Sequence, residues 1–269
     1  MCLILFAHRV HPDVPLIVAA NRDEFHGRAT ATATFWDDQP AVLAGRDLEA
    51  GGTWLGVNRR GRFAAVTNFT EPPPNPLPPR SRGSLVADFL TGTAPPDAYL
   101  EEVSRHAGAY RGFNVVAGTA EELWYYSNRI EAPCRLAPGT YGLSNHLLDT
   151  AWPKVRRGKS ALAAFEEAEA EPDVDDLLDI LADDTLPTDA EIGSTALDPD
   201  TARRIAPCFI RGPAYGTRAS TVVLMQATGR VAFTEVAFAA EGRRAGRRDF
   251  AFELSAPPAR TILEQTRRG

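Results

Sequence analysis

Cysteine is scarce in this 269-residue chain, which contains only Cys2, Cys134 and Cys208. The set is odd in number, and neither CxxC nor the spacing of a Cys/His ligand set occurs. These features argue against a disulfide framework and against a structural zinc site. We predict no metal site, and we interpret Cys134 and Cys208 as small hydrophobic residues of strands.

Long apolar runs and segregated positive charge are also missing. No stretch of about 18 apolar residues occurs, and no positively charged segment precedes the short apolar run at the start. The sequence thus predicts neither a signal peptide nor a membrane span, and the expected location is the cytoplasm. The 29 Lys and Arg residues are interleaved among 35 Asp and Glu, for a net charge of -6. This balance argues against general nucleic-acid binding.

The chain is rich in short strand-like runs separated by Gly, Asn or Pro. Such runs fill residues 1–70, return at 112–146 and recur near the end, with helical blocks between them. Neighbouring hairpins of this kind predict one α+β domain over 1–269 with mainly antiparallel sheets. The proline-rich segment at about 71–80 predicts an ordered loop or a lid, and the arginine-rich EGRRAGRRDF at 241–250 predicts a solvated hairpin loop.

A cysteine at position 2, heading the apolar run CLILFAH, is the most unusual single feature. If Met1 is removed, Cys2 carries a thiol and a free α-amine. Their ordinary pKa values are about 8.5 and about 8, so the amine can accept the thiol proton near neutral pH. The alternative is a small buried hydrophobic residue in a strand.

Four polar residues, Asn21 to Glu24, end the hydrophobic run VAANRDEF. They could form an ordinary charged turn. If the first two strands are neighbours, however, the cluster lies beside Cys2, and Asp23 or Arg22 could orient its amine and thiol.

Three further side chains could take part in chemistry. Asn68 and Asn145 each follow a strand-like run, where Asn commonly builds turns. A side-chain amide can also donate to the oxyanion of a tetrahedral intermediate. Arg218 precedes the apolar run TVVLM, and it could be a surface charge or could bind a carboxylate such as that of Asp23.

Several spaced motifs together resemble a known family. They are the opening Met-Cys, NRDE at 21–24, GGTWLGVN at 51–58, VTNF at 66–69, LSNH at 143–146 and YGTR at 215–218. The chain resembles the NRDE family, which is related to Transport and Golgi Organisation two. That family is similar to N-terminal-nucleophile hydrolases of the choloylglycine hydrolase and penicillin V acylase type. The resemblance implies a four-layer αββα sandwich.

The resemblance also implies site residues. In those hydrolases the terminal Cys attacks an amide, an Asp contacts its amine, two Asn residues support the amine and the oxyanion, and a late Arg lies near the thiol. By motif these roles fall on Cys2, Asp23, Asn68, Asn145 and Arg218. The hydrolases usually place an Arg three residues before the Asp, where this chain has Ala20, and Arg22 is adjacent to the Asp instead.

The leading hypothesis is therefore an amidohydrolase or acyltransferase that cleaves a linear amide and requires no cofactor. Trp54 could form a pocket wall or could belong to the core. The arginines behind the prolines, Arg80 and Arg82, could close over an anionic group. The predicted substrate-binding residues are Asn21, Arg22, Trp54, Arg80 and His146.

The resemblance supports a second hypothesis, a non-catalytic protein that binds and delivers haem, a lipid or acyl-CoA. Haem would need an axial ligand. The candidates are Cys2, His8, His26, His106 and His146, and none has the CxxCH spacing. Replacing Cys2 separates the hypotheses, because it would stop hydrolysis and largely spare binding unless Cys2 is itself the axial ligand.

Overall fold

The computed structural model describes residues 2–71, 76, 78–166, 171–192 and 198–255. The strands are β1 (Cys2–His8), β2 (Leu16–Phe25), β3 (Thr30–Phe35), β4 (Val42–Asp47), β5 (Leu55–Asn58), β6 (Phe63–Asn68), β7 (Phe113–Gly118), β8 (Leu123–Ser127), β9 (Cys134–Arg135), β10 (Gly139–Leu143), β11 (Tyr215–Met225), β12 (Arg230–Phe238) and β13 (Arg244–Glu253). The α-helices are α1 (Gly83–Thr91), α2 (Pro96–Arg105), α3 (Pro153–Ala163), α4 (Val174–Leu181), α5 (Asp189–Ile192) and α6 (Pro199–Ile205). Within these ranges no helix is both long and apolar enough to cross a membrane.

The strands form two antiparallel sheets. The first sheet has the order β10-β1-β2-β11-β12-β13, and the second sheet has the order β3-β4-β5-β6-β7-β8-β9. Most sequential neighbours pair directly, as the predicted hairpins require. In the first sheet Cys2 lies opposite Arg22. The NRDE cluster at the end of β2 therefore lies beside Cys2.

Strand alternation explains how the sheets stack. Ile4 and Phe6 point into the core between the two sheets, whereas Leu3 and Leu5 point into a second core beneath α3 and α4. A strand buried on both faces is apolar throughout, which is why β1 reads as a continuous hydrophobic run. Helices α1 and α2 cover the outer face of the second sheet. The result is the αββα sandwich that the resemblance implies.

Two segments differ from the sequence-based expectation. The arginine-rich stretch predicted as a hairpin loop is mostly β13, an edge strand whose side chains are largely exposed. Charged residues suit an edge strand because they discourage pairing with another chain. Among the strand-like runs near the end of the chain, PCFIRG at 207–212 is irregular and joins no sheet. The predicted loop or lid at 71–80 falls partly outside the described residues, which omit 72–75 and 77.

His8, the last residue of β1, is a buried titratable group remote from the NRDE cluster. Its side chain is 1% exposed, and neither ring nitrogen has a hydrogen-bond partner within the described part of the chain. Burial lowers the pKa of His8 below its ordinary 6.5. The folded protein therefore holds this imidazole neutral at a pH where the unfolded chain is protonated.

We expect the free energy of unfolding to decrease as the pH falls below about 6.5, because the unfolded state then binds a proton that the folded state resists. His8→Leu should weaken this dependence. His106→Leu, which changes an exposed histidine at the end of α2, should preserve it. Urea unfolding at pH 7.5 and pH 5.5 measures the difference, and an equal pH dependence in wild type and His8→Leu would contradict the assignment.

Candidate active site

Two hydrogen bonds with the segment after β10 hold the backbone of Cys2 at the start of β1. Its N–H donates to Asn145 Oδ1 at 2.9 Å, and its carbonyl accepts from Ser144 Oγ at 2.7 Å. Asn145 Nδ2 in turn donates to the Asn68 carbonyl at 2.9 Å. Because Asn68 ends β6 of the second sheet, the Asn145 side chain joins the two sheets at this point. The nitrogen of residue 2 is thereby held in one position.

A buried ion pair lies at the end of β2, next to the residue that pairs with Cys2. Asp23 Oδ1 accepts from Thr217 Oγ1 at 2.8 Å, and Lys154 Nζ of α3 lies 3.7 Å from Asp23 Oδ2. Both charged side chains are at most 1% exposed. Burial raises the pKa of the Asp23 carboxyl, and the Lys154 ammonium opposes that rise. Asp23 is thus a buried carboxyl whose charge is balanced by Lys154.

The Cys2 thiol faces the space between the sheets, on the same side as Ile4. Burial raises the pKa of the Cys2 thiol, and a hydrogen bond from the Asp23 backbone opposes the rise. A thiol with a raised pKa is mostly protonated near neutral pH, so it needs a base to become a nucleophile.

A cavity of about 500 Å³ opens beside the thiol. Its walls come from both sheets and from the start of α1, and they include Cys2, Arg22, Trp54, Asn68, Arg82 and Arg218. Cys208, by contrast, is buried beneath α3, where burial raises the pKa of its thiol to about 12. Cys134 is exposed on β9. Cys2 is thus the one of the three cysteines that faces this cavity.

The family model for Transport and Golgi organisation 2 matches residues 1–240. The chain belongs to this family. A Mus musculus relative, Transport and Golgi organization 2 homolog, is 41% identical over 256 residues, covering 87% of this chain and 92% of the relative. The family membership inferred from the spaced motifs is confirmed.

Solved structures share the fold of this family member at low sequence identity. The Caenorhabditis elegans ortholog of N-acylethanolamine-hydrolyzing acid amidase matches with a TM-score of 0.50 and 11% identity, covering 83% of this chain and 92% of its own. The C2A mutant of the conjugated bile acid hydrolase from Clostridium perfringens matches with a TM-score of 0.50 and 9% identity, covering 94% and 92%. These likenesses agree with the αββα architecture.

Asn21 is the clearest departure from the predicted substrate-binding set. Its side chain is fully buried on the helix side of the first sheet, donating to the carbonyls of Leu181 and Cys208 at 2.8 Å each and accepting from Ser220 Oγ at 2.6 Å. Because side chains alternate along β2, Arg22 faces the cavity and Asn21 faces the helices. The structure therefore gives Asn21 a role in packing and does not support a substrate contact.

Arg80 and His146 also lie away from the cavity. Arg80 Nη1 donates to the hydroxyl of Tyr110 at 3.2 Å. The His146 ring packs on Phe69 with 4.9 Å between ring centroids, and its Nδ1 hydrogen-bonds Thr150 Oγ1 at 2.9 Å. Neither residue is among the described side chains that line the cavity, so a direct substrate contact is not supported for either.

Arg218 lines the cavity but does not bind Asp23. Its Nη1 donates to the carbonyls of Phe25 and Arg28, both at 2.9 Å. The pairing of β11 with β2 shifts register between Thr217 and Ala219, and such a bulge redirects the side chain within it. Lys154 takes the place beside Asp23 instead. Of the two alternatives for Arg218, these contacts do not support the pairing with that carboxylate.

Sequence reasoning missed two charged residues of the site. Lys154 resembles any charged residue at the start of an amphipathic helix, and nothing local marks it as buried. Glu235 is 6% exposed, and its Oε1 accepts from the Ala33 N–H at 2.7 Å. Glu235 lies two residues after the buried Phe233 and so shares its inward face of β12. An acid at such a position could have indicated a functional residue, because an unpaired charge rarely occupies the core.

Proposed function

We propose that this protein is an N-terminal cysteine nucleophile hydrolase or acyltransferase that cleaves a linear amide bond in a small acylated compound. The observation that carries the proposal is the placement of residue 2. Its nitrogen is held by Asn145 next to the Asp23–Lys154 pair, and its thiol opens on the cavity. Removal of Met1 turns that nitrogen into an α-amine at the position where a base is required.

The first half of the reaction transfers one proton and forms one bond. The α-amine takes the proton from the Cys2 thiol, and the sulfur attacks the amide carbon. The carbonyl π electrons move to oxygen and form an oxyanion. The resulting ammonium is stabilised by Asn145 Oδ1 and by the nearby Asp23 carboxylate.

The second half releases the amine and then the acid. The tetrahedral intermediate expels the leaving nitrogen, which receives the proton from the α-ammonium, and a thioester remains on Cys2. Water, or an acceptor amine in the transferase reaction, attacks the thioester while the α-amine again removes a proton. The thiolate that departs recovers that proton, so the enzyme returns to its starting state.

The two asparagines have different roles in this proposal. The amide N–H of Asn145 is engaged by the Asn68 carbonyl, so Asn145 positions the amine. The Asn68 side chain is exposed and lines the cavity. Asn68 is therefore the better placed side-chain donor for the oxyanion.

Acylation of Cys2 with and without a preceding residue tests this proposal. Untagged protein, confirmed by intact mass to have lost Met1, is compared with protein that keeps an N-terminal extension. Both are mixed with a p-nitrophenyl ester of a medium-chain fatty acid. We expect acylation of Cys2 to be at least about 100-fold faster in the trimmed protein, since general base catalysis contributes about 10² to 10⁴.

Peptide mapping of the adduct provides the control. Acylation on Cys134, or equal rates in the trimmed and extended proteins, would overturn the role of the amine. Urea unfolding of both proteins checks that the extension has not disrupted the fold.

A further inference from the structure

Arg22 places a positively charged guanidinium in the wall of the cavity. Its side chain is 7% exposed, and its Nη1 has no hydrogen-bond acceptor within the described part of the chain. Arg22 lines the cavity opposite Cys2 on the neighbouring strand. A buried donor without an acceptor destabilises the fold, and more so when it is charged. An acceptor supplied by a ligand would remove that destabilisation.

Arg82 adds a second cation to the same cavity. Its Nη1 donates to the Gly112 carbonyl at 3.1 Å, a neutral acceptor. Burial lowers the pKa of Arg82 to about 10, so the guanidinium stays protonated at neutral pH. Arg82 is also the N-cap residue of α1, a nine-residue helix with no acid in its first turn. The positive end of this helix therefore adds to the charge of the guanidinium.

The other cavity arginines are already engaged. Arg28 pairs with Asp47 at 2.8 Å, and Arg46 pairs with Asp38 at 2.7 Å. Arg218 donates to two backbone carbonyls, as described above. Within the described residues, Arg22 and Arg82 are thus the cavity arginines that have neither an ion pair nor hydrogen bonds to two carbonyls.

Besides Asp47, three acids line the cavity. Glu235 accepts from the Ala33 N–H, and burial raises the pKa of its carboxyl, which favours the neutral form. Glu24 accepts from the Phe25 N–H, and Asp23 is balanced by Lys154. Neither Glu235 nor Glu24 hydrogen-bonds Arg22 or Arg82 within the described residues, so both guanidinium groups can take a further acceptor from a ligand.

We propose that Arg22 and Arg82 form an anion subsite that binds a carboxylate of the amide substrate. The substrate class is then an N-acyl amino acid and not a neutral N-acyl amine. This inference rests on the proposed function, in which Cys2 attacks the same molecule. Arg22 lies opposite Cys2 on the neighbouring strand, and its charge opposes the rise that burial causes in the pKa of the Cys2 thiol, so a carboxylate bound by Arg22 lies close to the attacked carbonyl. The α-carboxylate of an amino acid leaving group satisfies that spacing.

A pair of thiol alkylators tests the subsite without requiring turnover. Iodoacetate and iodoacetamide both alkylate the thiolate, since the sulfur bonds to their CH₂ carbon and iodide leaves. They differ in bearing a carboxylate or a neutral amide. We expect the iodoacetate-to-iodoacetamide rate ratio at Cys2 to exceed the ratio at exposed Cys134 by about tenfold or more, as one charge-assisted hydrogen bond allows. Peptide mapping of the alkylated protein gives both ratios from one sample.

Three variants assign the effect. Arg82→Gln and Arg22→Gln should each lower the ratio at Cys2 toward that at Cys134. Arg105→Gln, which changes an exposed arginine on α2, should leave it unchanged. A ratio at Cys2 that equals the one at Cys134, or that survives both cavity substitutions, would overturn the subsite.

Ligand binding to the Cys2→Ala variant of this protein, C2A, gives a second measurement that does not depend on thiol reactivity. N-octanoylglycine should raise the melting temperature of C2A more than N-octanoylglycinamide does, and adding Arg82→Gln should erase the difference. Equal shifts would overturn the subsite. A preference for the carboxylate without cleavage of either compound by wild type would sustain the subsite and count against the hydrolase. If wild type cleaved only neutral amides, the result would sustain the hydrolase and count against the subsite.

Discussion

Replacing Cys2 with alanine is expected to abolish amide cleavage by the trimmed protein, with a rate loss of about 10³-fold or more. The sulfur is the atom that bonds to the acyl group, and no other cysteine reaches the cavity. Cys134→Ala, which changes an exposed cysteine of β9, should retain the wild-type rate. The measurement is release of the free amine from a panel of N-acyl amino acids and N-acyl amines.

The same variant separates catalysis from carriage. If C2A still cleaved an amide at the wild-type rate, Cys2 would not be the nucleophile. If wild type cleaved nothing while wild type and C2A bound haem or an acyl-CoA with equal affinity, the carrier hypothesis would replace the hydrolase. The hydrolase requires turnover in wild type that C2A lacks.

Lys154→Met is expected to lower the free energy of unfolding by about 3–5 kcal/mol. Removing one member of a buried ion pair leaves an uncompensated charge, here the Asp23 carboxylate, in a site that excludes water. In a chain of this size the loss corresponds to a fall of about 10 °C in melting temperature. Urea unfolding followed by circular dichroism measures it.

Lys159→Met is the matched control for this substitution. Lys159 lies on the same helix and pairs with Asp149 at 2.8 Å, but both side chains are about one third exposed, at 30% and 37%. An exposed pair contributes about 0–1 kcal/mol, so this variant should lose no more than that. Adding Asp23→Asn to Lys154→Met should recover part of the stability, because the unpaired charge is removed. Equal losses in the free energy of unfolding for the two lysine variants would show that the buried Asp23–Lys154 pair stabilises the fold no more than the exposed pair does.

Much of the fold was open to prediction because strands and helices depend on neighbours in sequence. The run CLILFAH became β1 over the predicted residues, and TVVLM lies within β11. The alternation along β2 also meant that Arg22 and its two neighbours could not share a face. The alternation could not show which face of β2 lines the cavity. Asn21 was therefore assigned to substrate, whereas it packs beneath the helices.

The sequence by itself determined that a cysteine stands at position 2, that a polar cluster ends the second strand, and that the spaced motifs belong to one family. Only the tertiary structure decided which groups surround that cysteine. Asn145 reaches its nitrogen across 143 residues of chain, and Lys154 reaches Asp23 from a helix whose local pattern resembles any amphipathic surface helix. The physical reason is that periodicity and capping depend on adjacent residues, whereas burial and ion pairing depend on which distant segments pack together.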